Sequence, residues 1–171
     1  ITQAWDLTTS FPDRPFVNRG ISGHTTPQTL VRFRPDVIDL EPDVAFILAG
    51  TNDIAGNKGP ATLLEIAGNI ASMAELALVN GITPIIASVL PASEYPWSPG
   101  HMPDVKIPAL NAMLKAYAEV RGVVYLDLFA AMTDGENGLQ DALTSDGVHL
   151  TPAGYEAMSR HAEAALATVL Q

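Results

Sequence analysis

The chain predicts an α/β domain built on a parallel sheet. Three observations carry that prediction. An uninterrupted apolar run of strand length occurs at residues 44–49, and predominantly apolar stretches of strand length occur at 82–89 and 123–127. Between and after them, apolar residues step by three and four, the spacing of a helix with one buried face. Strands alternating with helices give parallel sheets, and uninterrupted apolar strands belong to sheets covered on both faces. The third observation is size: 171 residues, 47% of them hydrophobic, suit a single domain with a sizeable core.

Composition narrows the function classes. With 16% charged residues among so many apolar ones, the chain is no disordered segment. The net charge of −10 and the lack of any Lys/Arg run oppose binding to nucleic acid or an anionic membrane. No apolar run reaches the roughly 18 residues of a membrane span. Cysteine is absent, which removes disulfides, thiol nucleophiles and thiolate metal sites and fits any compartment.

In chain order, residues 1–15 are turn-rich and lead into a short extended piece at 16–18. A small-residue segment, Arg19 to Thr26, precedes a helix marked by Leu30, Phe33, Val37 and Leu40, which Pro35 is expected to kink or split. The strand at 44–49 ends in Gly50-Thr51-Asn52-Asp53. A second helix runs through Leu63, Ala67, Ile70, Ala74 and Ala77 and stops at Asn80-Gly81. The strand at 82–89 tolerates Pro84 only near its entry. A loop with four prolines spans 91–103 and holds Tyr95, Trp97 and His101. Ile107, Leu110, Leu114 and Tyr117 mark a third helix, closed near Gly122. After the last strand, residues 128–145 read as irregular or short-helical, and a final helix runs from Pro152 to about residue 170.

In parallel sheets ligands bind at the carboxyl ends of the strands. Segments 20–26, 50–53, 91–103 and 144–149 all fall at that edge. Asp146 and His149 stand three apart across Gly147, just ahead of Pro152 at a first helical position. A carboxylate beside an imidazole fixes its tautomer and stabilises the imidazolium formed when the ring takes a proton. Asn52 offers an amide N–H and Gly23 a backbone N–H, two donors suited to a developing oxyanion. Taken singly, each also reads as a capped surface turn, an Asn/Asp turn or a glycine loop. Together, donors and a base at one edge point to acyl transfer. Tyr95 and Trp97 are candidates for a substrate pocket wall, with loop packing as the alternative. Asp53 reads as a brace for its own loop, and His24, His101 and His161 lack metal-ligand spacing.

These residues resemble a family, the SGNH or GDSL hydrolases. Asn18-Arg19-Gly20-Ile21-Ser22-Gly23 is similar to its second block, Gly50-Thr51-Asn52-Asp53 to its third, and Asp146-Gly147-Val148-His149 to its fifth. The resemblance implies a three-layer α/β/α, flavodoxin-like domain spanning 1–171, with a parallel sheet of about five strands. It implies ester hydrolysis through an acyl-serine without metal or cofactor, on a small-molecule ester of small or medium acyl size, such as an acetyl group on a sugar. Gly23 and Asn52 would be oxyanion donors, and Asp146 and His149 the acid and base of the triad. The Gly-Asp-Ser block is not in the chain. Ile1-Thr2-Gln3-Ala4-Trp5 is similar to its continuation, so the nucleophilic Ser is expected immediately before Ile1, with the N-terminal strand missing too. Ser22 and Ser145 sit on no strand-to-helix elbow and read as loop residues. Two rivals remain: a non-catalytic ligand-binding relative, and a flavodoxin-like nucleotide-binding domain. The second wants a phosphate-cradling glycine loop, which the chain lacks.

Overall fold

Three parallel strands organise the computed structural model, which describes residues 1–170. They are β1 (Val44–Ile47), β2 (Thr83–Ala87) and β3 (Val124–Leu126), with β2 in the centre. Each lies inside an apolar run of the sequence and is shorter than it. In β2 the cause is a distant side chain. Ser88 N still donates to Leu126 O at 2.9 Å, but at Val89 the amide of Asn111 replaces a strand partner. Val89 N donates to Asn111 Oδ1 at 2.8 Å and Val89 O accepts from Asn111 Nδ2 at 2.9 Å. Pro84 is the second residue of β2, paired in register with Ala45, as its missing N–H requires.

Seven α-helices surround the sheet among the described residues. They are α1 (Leu7–Ser10), α2 (Thr26–Asp36), α3 (Thr51–Ile54), α4 (Leu63–Val79), α5 (Pro103–Arg121), α6 (Leu128–Met132) and α7 (Pro152–Val169). On one face α2, α4 and α5 cover Ala45, Ile47 and Ile86 with Phe33, Ile66, Ile70, Met73, Leu110 and Leu114. On the other, α1, α6 and α7 cover Phe46, Ala87 and Leu126 with Phe11, Leu128, Met132, Met158 and Ala162, together with Trp5. The architecture is therefore three-layer α/β/α. Strand side chains alternate between two apolar clusters, which explains why the strand sequences show no polar alternation. A fully buried side chain such as Ile86 or Met158 contributes about 1.5–3 kcal/mol.

Local signals set the helix ends. Thr62 and Glu65 form a capping box at the start of α4, and Gly122 at φ 64° terminates α5. The expectation that Pro35 kinks or splits its helix is met by a split. α2 ends one residue beyond Pro35, and Ile38–Leu40 continue as a 3-10 turn. Of the sheet of about five strands, one of them expected ahead of Ile1, the described residues form three. Residues 16–18 join no sheet; the Asn18 amide instead donates to Thr2 O and Trp5 O at 2.6 and 3.1 Å.

Candidate active site

The Asp146–His149 turn is built around one carboxylate. Asp146 Oδ1 accepts from Val148 N at 3.0 Å and His149 N at 2.7 Å, while Oδ2 lies 2.7 Å from His149 Nδ1. Gly147 takes the left-handed conformation that the turn needs, at φ 84°, and Val148 anchors it in the core. The hydroxyl of Thr144 donates to His149 O at 2.8 Å. With Nδ1–H given to the carboxylate, the neutral ring keeps its lone pair on Nε2. Partial burial pushes the Asp146 carboxyl up, but the hydrogen bonds from His149 and Val148 and the imidazole charge outweigh it and hold it below the usual range.

At the end of β1, Gly50 adopts φ 124°, and a Cβ there would meet Val89 Cγ2 at 3.1 Å and Leu110 Cδ2 at 3.2 Å. Only glycine suits both the conformation and the space. The chain thus turns at once into α3, placing Asn52 at the sheet's carboxyl edge. Asn52 Nδ2 donates to His24 O at 2.9 Å, beside Gly23. Gly23 has φ 76°, and the space where its Cβ would stand is open. Its glycine identity therefore follows from backbone conformation, and its surroundings leave room for a ligand.

Asp53 braces a different loop from the one expected. Its buried carboxylate accepts from Thr26 N at 2.9 Å and Thr26 Oγ1 at 2.6 Å, pinning the start of α2 and with it the end of the Gly23 loop. Burial raises its pKa above the ordinary value, and the Thr26 bonds offset only part of that rise. His24 faces the Arg32 guanidinium, His161 is exposed on α7, and the ring of His101 lies against Gly56.

The 91–103 loop joins the two halves of the site. Ser98 Oγ donates to Ala55 O at 2.9 Å, just past α3, while the Trp97 ring lies 5.5 Å from that of His149. Trp97 is 44% exposed and stacks on Tyr95 at 5.3 Å. Tyr95 itself has no exposed surface, so its expected place in a pocket wall is corrected to a support beneath Trp97. The first residues of the chain approach from the other side. Ile1 O accepts from Tyr155 OH at 2.8 Å, and Gln3 Oε1 accepts from Ser22 N. Gly20 lies so close to Gln3 N that a Cβ would stand 2.8 Å from it. Ser22 and Ser145 are exposed loop residues, as expected. Asn57, which donates to Asn52, and Asn111 had no local signal in the sequence that marked them out.

Two concavities, one bounded by Phe16 and Leu166 and one by Pro27, Asp53 and Asn69, are lined by neither His149 nor Asn52. The candidate residues occupy an open shelf instead, with the His149 side chain 55% exposed.

Fold and loop placement together are those of an SGNH-type α/β/α protein. Residues 3–157 match the model of the GDSL-like Lipase/Acylhydrolase family, and the chain belongs to that family. A crystal structure of a GDSL-like lipase from Bacteroides thetaiotaomicron VPI-5482 is 40% identical with a TM-score of 0.93, covering 98% of this chain and 84% of that one. An acetylxylan esterase from Geobacillus stearothermophilus, solved as a catalytic mutant, shares the fold at 22% identity and a TM-score of 0.74, over 94% of this chain and 76% of that one. An uncharacterised lipoprotein of Bacillus subtilis (strain 168) is 35% identical over 81 residues, 46% of this chain. The match spans 33% of that curated relative's length.

Proposed function

We propose that the protein is a serine ester hydrolase acting on small or medium acyl esters through an acyl-serine intermediate. The observation that carries this reading is the 2.7 Å contact between Asp146 Oδ2 and His149 Nδ1, which leaves Nε2 as a base at the edge where Gly23 and Asn52 offer donors. The nucleophile in this reading is a serine immediately before Ile1. Its support is the packing of residues 1–3 between the Gly23 loop and α7.

In the first half-reaction His149 Nε2 takes the serine hydroxyl proton as its oxygen bonds to the ester carbonyl carbon. The Gly23 N–H and the Asn52 amide donate to the resulting oxyanion. Collapse breaks the bond to the alcohol oxygen, which leaves with the proton held by His149. Water repeats the sequence and releases the acid. Asp146 stays ionised throughout and stabilises the imidazolium.

An acetyl ester of a carbohydrate is the favoured substrate class. It suits the open shelf beside Trp97, and the Geobacillus protein of the same fold is named for acetylxylan. Full-length protein should release p-nitrophenol from its acetate ester, with kcat/KM falling as the acyl chain lengthens. Labelling by a serine-directed phosphonate should map to the residue before Ile1. A folded protein that shows neither turnover nor label would be a ligand-binding relative instead.

A further inference from the structure

The Asn52 amide is held from both sides. Nδ2 donates to His24 O at 2.9 Å, and Oδ1 accepts from Asn57 Nδ2 at 2.9 Å. A backbone carbonyl only accepts, so the atom facing His24 must be the nitrogen. The oxygen then faces Asn57, which must present its own amide nitrogen. The two residues are also joined through the backbone, where Asn57 N donates to Asn52 O at 3.0 Å. Gly56, at φ 70°, turns the chain back over α3 to make this closure, and the His101 ring packs against it.

Direction matters as much as presence in such an amide. Rotated by 180°, Asn52 would present a carbonyl oxygen where a donor is wanted. It would then repel an oxyanion rather than stabilise it. His24 alone opposes that rotation from one side, and Asn57 opposes it from the other. We propose that Asn57 is a positioning residue for ester hydrolysis: by holding Asn52 Oδ1 it keeps the remaining Asn52 N–H aimed at the developing oxyanion. This rests on the reading of Asn52 as an oxyanion donor. Asn57 is exposed and touches the reaction only through Asn52, so its effect belongs in kcat rather than in stability.

The test compares Asn57→Asp with Asn57→Ala in the full-length protein. The first keeps the shape but sets a carboxylate oxygen against Asn52 Oδ1, favouring the rotated amide. The second only removes the constraint. Asn57→Asp should lower kcat by about 10–100-fold, below the roughly 10²–10³ of losing the donor outright, and Asn57→Ala by about 3–10-fold. KM should stay within about twofold and Tm should not change. The Asn52 side-chain NH2 resonances, followed by ¹⁵N-edited NMR, should move in Asn57→Asp whether or not the protein turns over ester. Wild-type kcat in Asn57→Asp, unmoved Asn52 resonances, or losses that track a lower Tm or a raised KM would each overturn the proposal. A wild type without esterase activity would defeat the hydrolase reading, and the resonances alone would then decide whether Asn57 orients Asn52.

Discussion

The indole of Trp97 lies over the imidazole of His149, with centroids 5.5 Å apart and planes inclined by 40°. Behind it, Tyr95 stacks at 28° and is wholly buried, so the indole rests on a fixed support. One aromatic face is therefore offered beside the proposed base.

Trp97→Ala should change which ester is preferred more than it changes stability. An exposed ring loses little on truncation, because Tyr95 keeps its place in the core. Relative kcat/KM across acetate, butyrate and octanoate esters should shift by about 10-fold, the scale of a pocket contact altered by a few methylenes. An unchanged profile with a lowered Tm would assign the ring to packing alone.

The proposed acid and base should differ in cost. His149→Ala removes the base and should lower kcat by several orders of magnitude. Asp146→Asn keeps the shape but disturbs the tautomer, with a loss of up to about 10⁴. Both are measured as kcat on protein with wild-type circular dichroism; near-normal turnover in His149→Ala would end the triad reading.

Asp146 should also leave a mark on stability against pH. Its folded pKa is lowered, so the stabilisation it gives is present above the unfolded value of about 3.9 and disappears as pH falls through the folded value. Chemical denaturation should find Asp146→Asn less stable than wild type at neutral pH, with the gap closing in acid. A gap independent of pH would mean that the turn depends on side-chain shape rather than charge.

Asn52→Ala should reduce kcat by about 10²–10³ with little change in KM, the effect of deleting one oxyanion donor. A mutant altered in KM alone would make Asn52 a ground-state binding group.

Which features the sequence disclosed follows from how local their causes are. The strands at 44–49, 82–89 and 123–127 were legible because helices cover both faces of the sheet, which leaves predominantly apolar stretches in the sequence. The Asp146–His149 turn was legible because its partners lie three residues apart across a glycine. Strand ends were not, since Val89 leaves the ladder for Asn111, 22 residues away. Asp53 looked like a brace for its own turn, yet its carboxylate reaches Thr26, 27 residues earlier. Tyr95, in a proline-rich loop, read as a pocket wall or as loop packing; its ring is wholly buried among core residues brought together from distant parts of the chain. Long-range side-chain contacts of this kind have no periodicity to read.

The Asp53–Thr26 contact makes the last prediction, which couples stability to the site. Asp53→Ala would leave the buried Thr26 N–H without its partner, while the Thr26 hydroxyl keeps its bond from Asn69 Nδ2 at 3.0 Å. Such an orphaned group costs about 1–3 kcal/mol, and the lost hydroxyl bond adds about 1 kcal/mol. Asp53→Asn retains an acceptor and removes the charge, and here the sign of the pH effect is opposite to that of Asp146. Because burial raises the Asp53 pKa, the favourable contribution of its protonated form is present below the unfolded value and is lost as pH rises through the folded one. Asp53→Asn should therefore gain on wild type between about pH 4 and pH 7, while Asp53→Ala is weaker at both. Urea denaturation at the two pH values measures this directly. If kcat of Asp53→Ala also falls while Asp53→Asn keeps its activity, the Thr26 bond is what holds the Gly23 loop in register with Asn52; equal activity in both would confine Asp53 to stability.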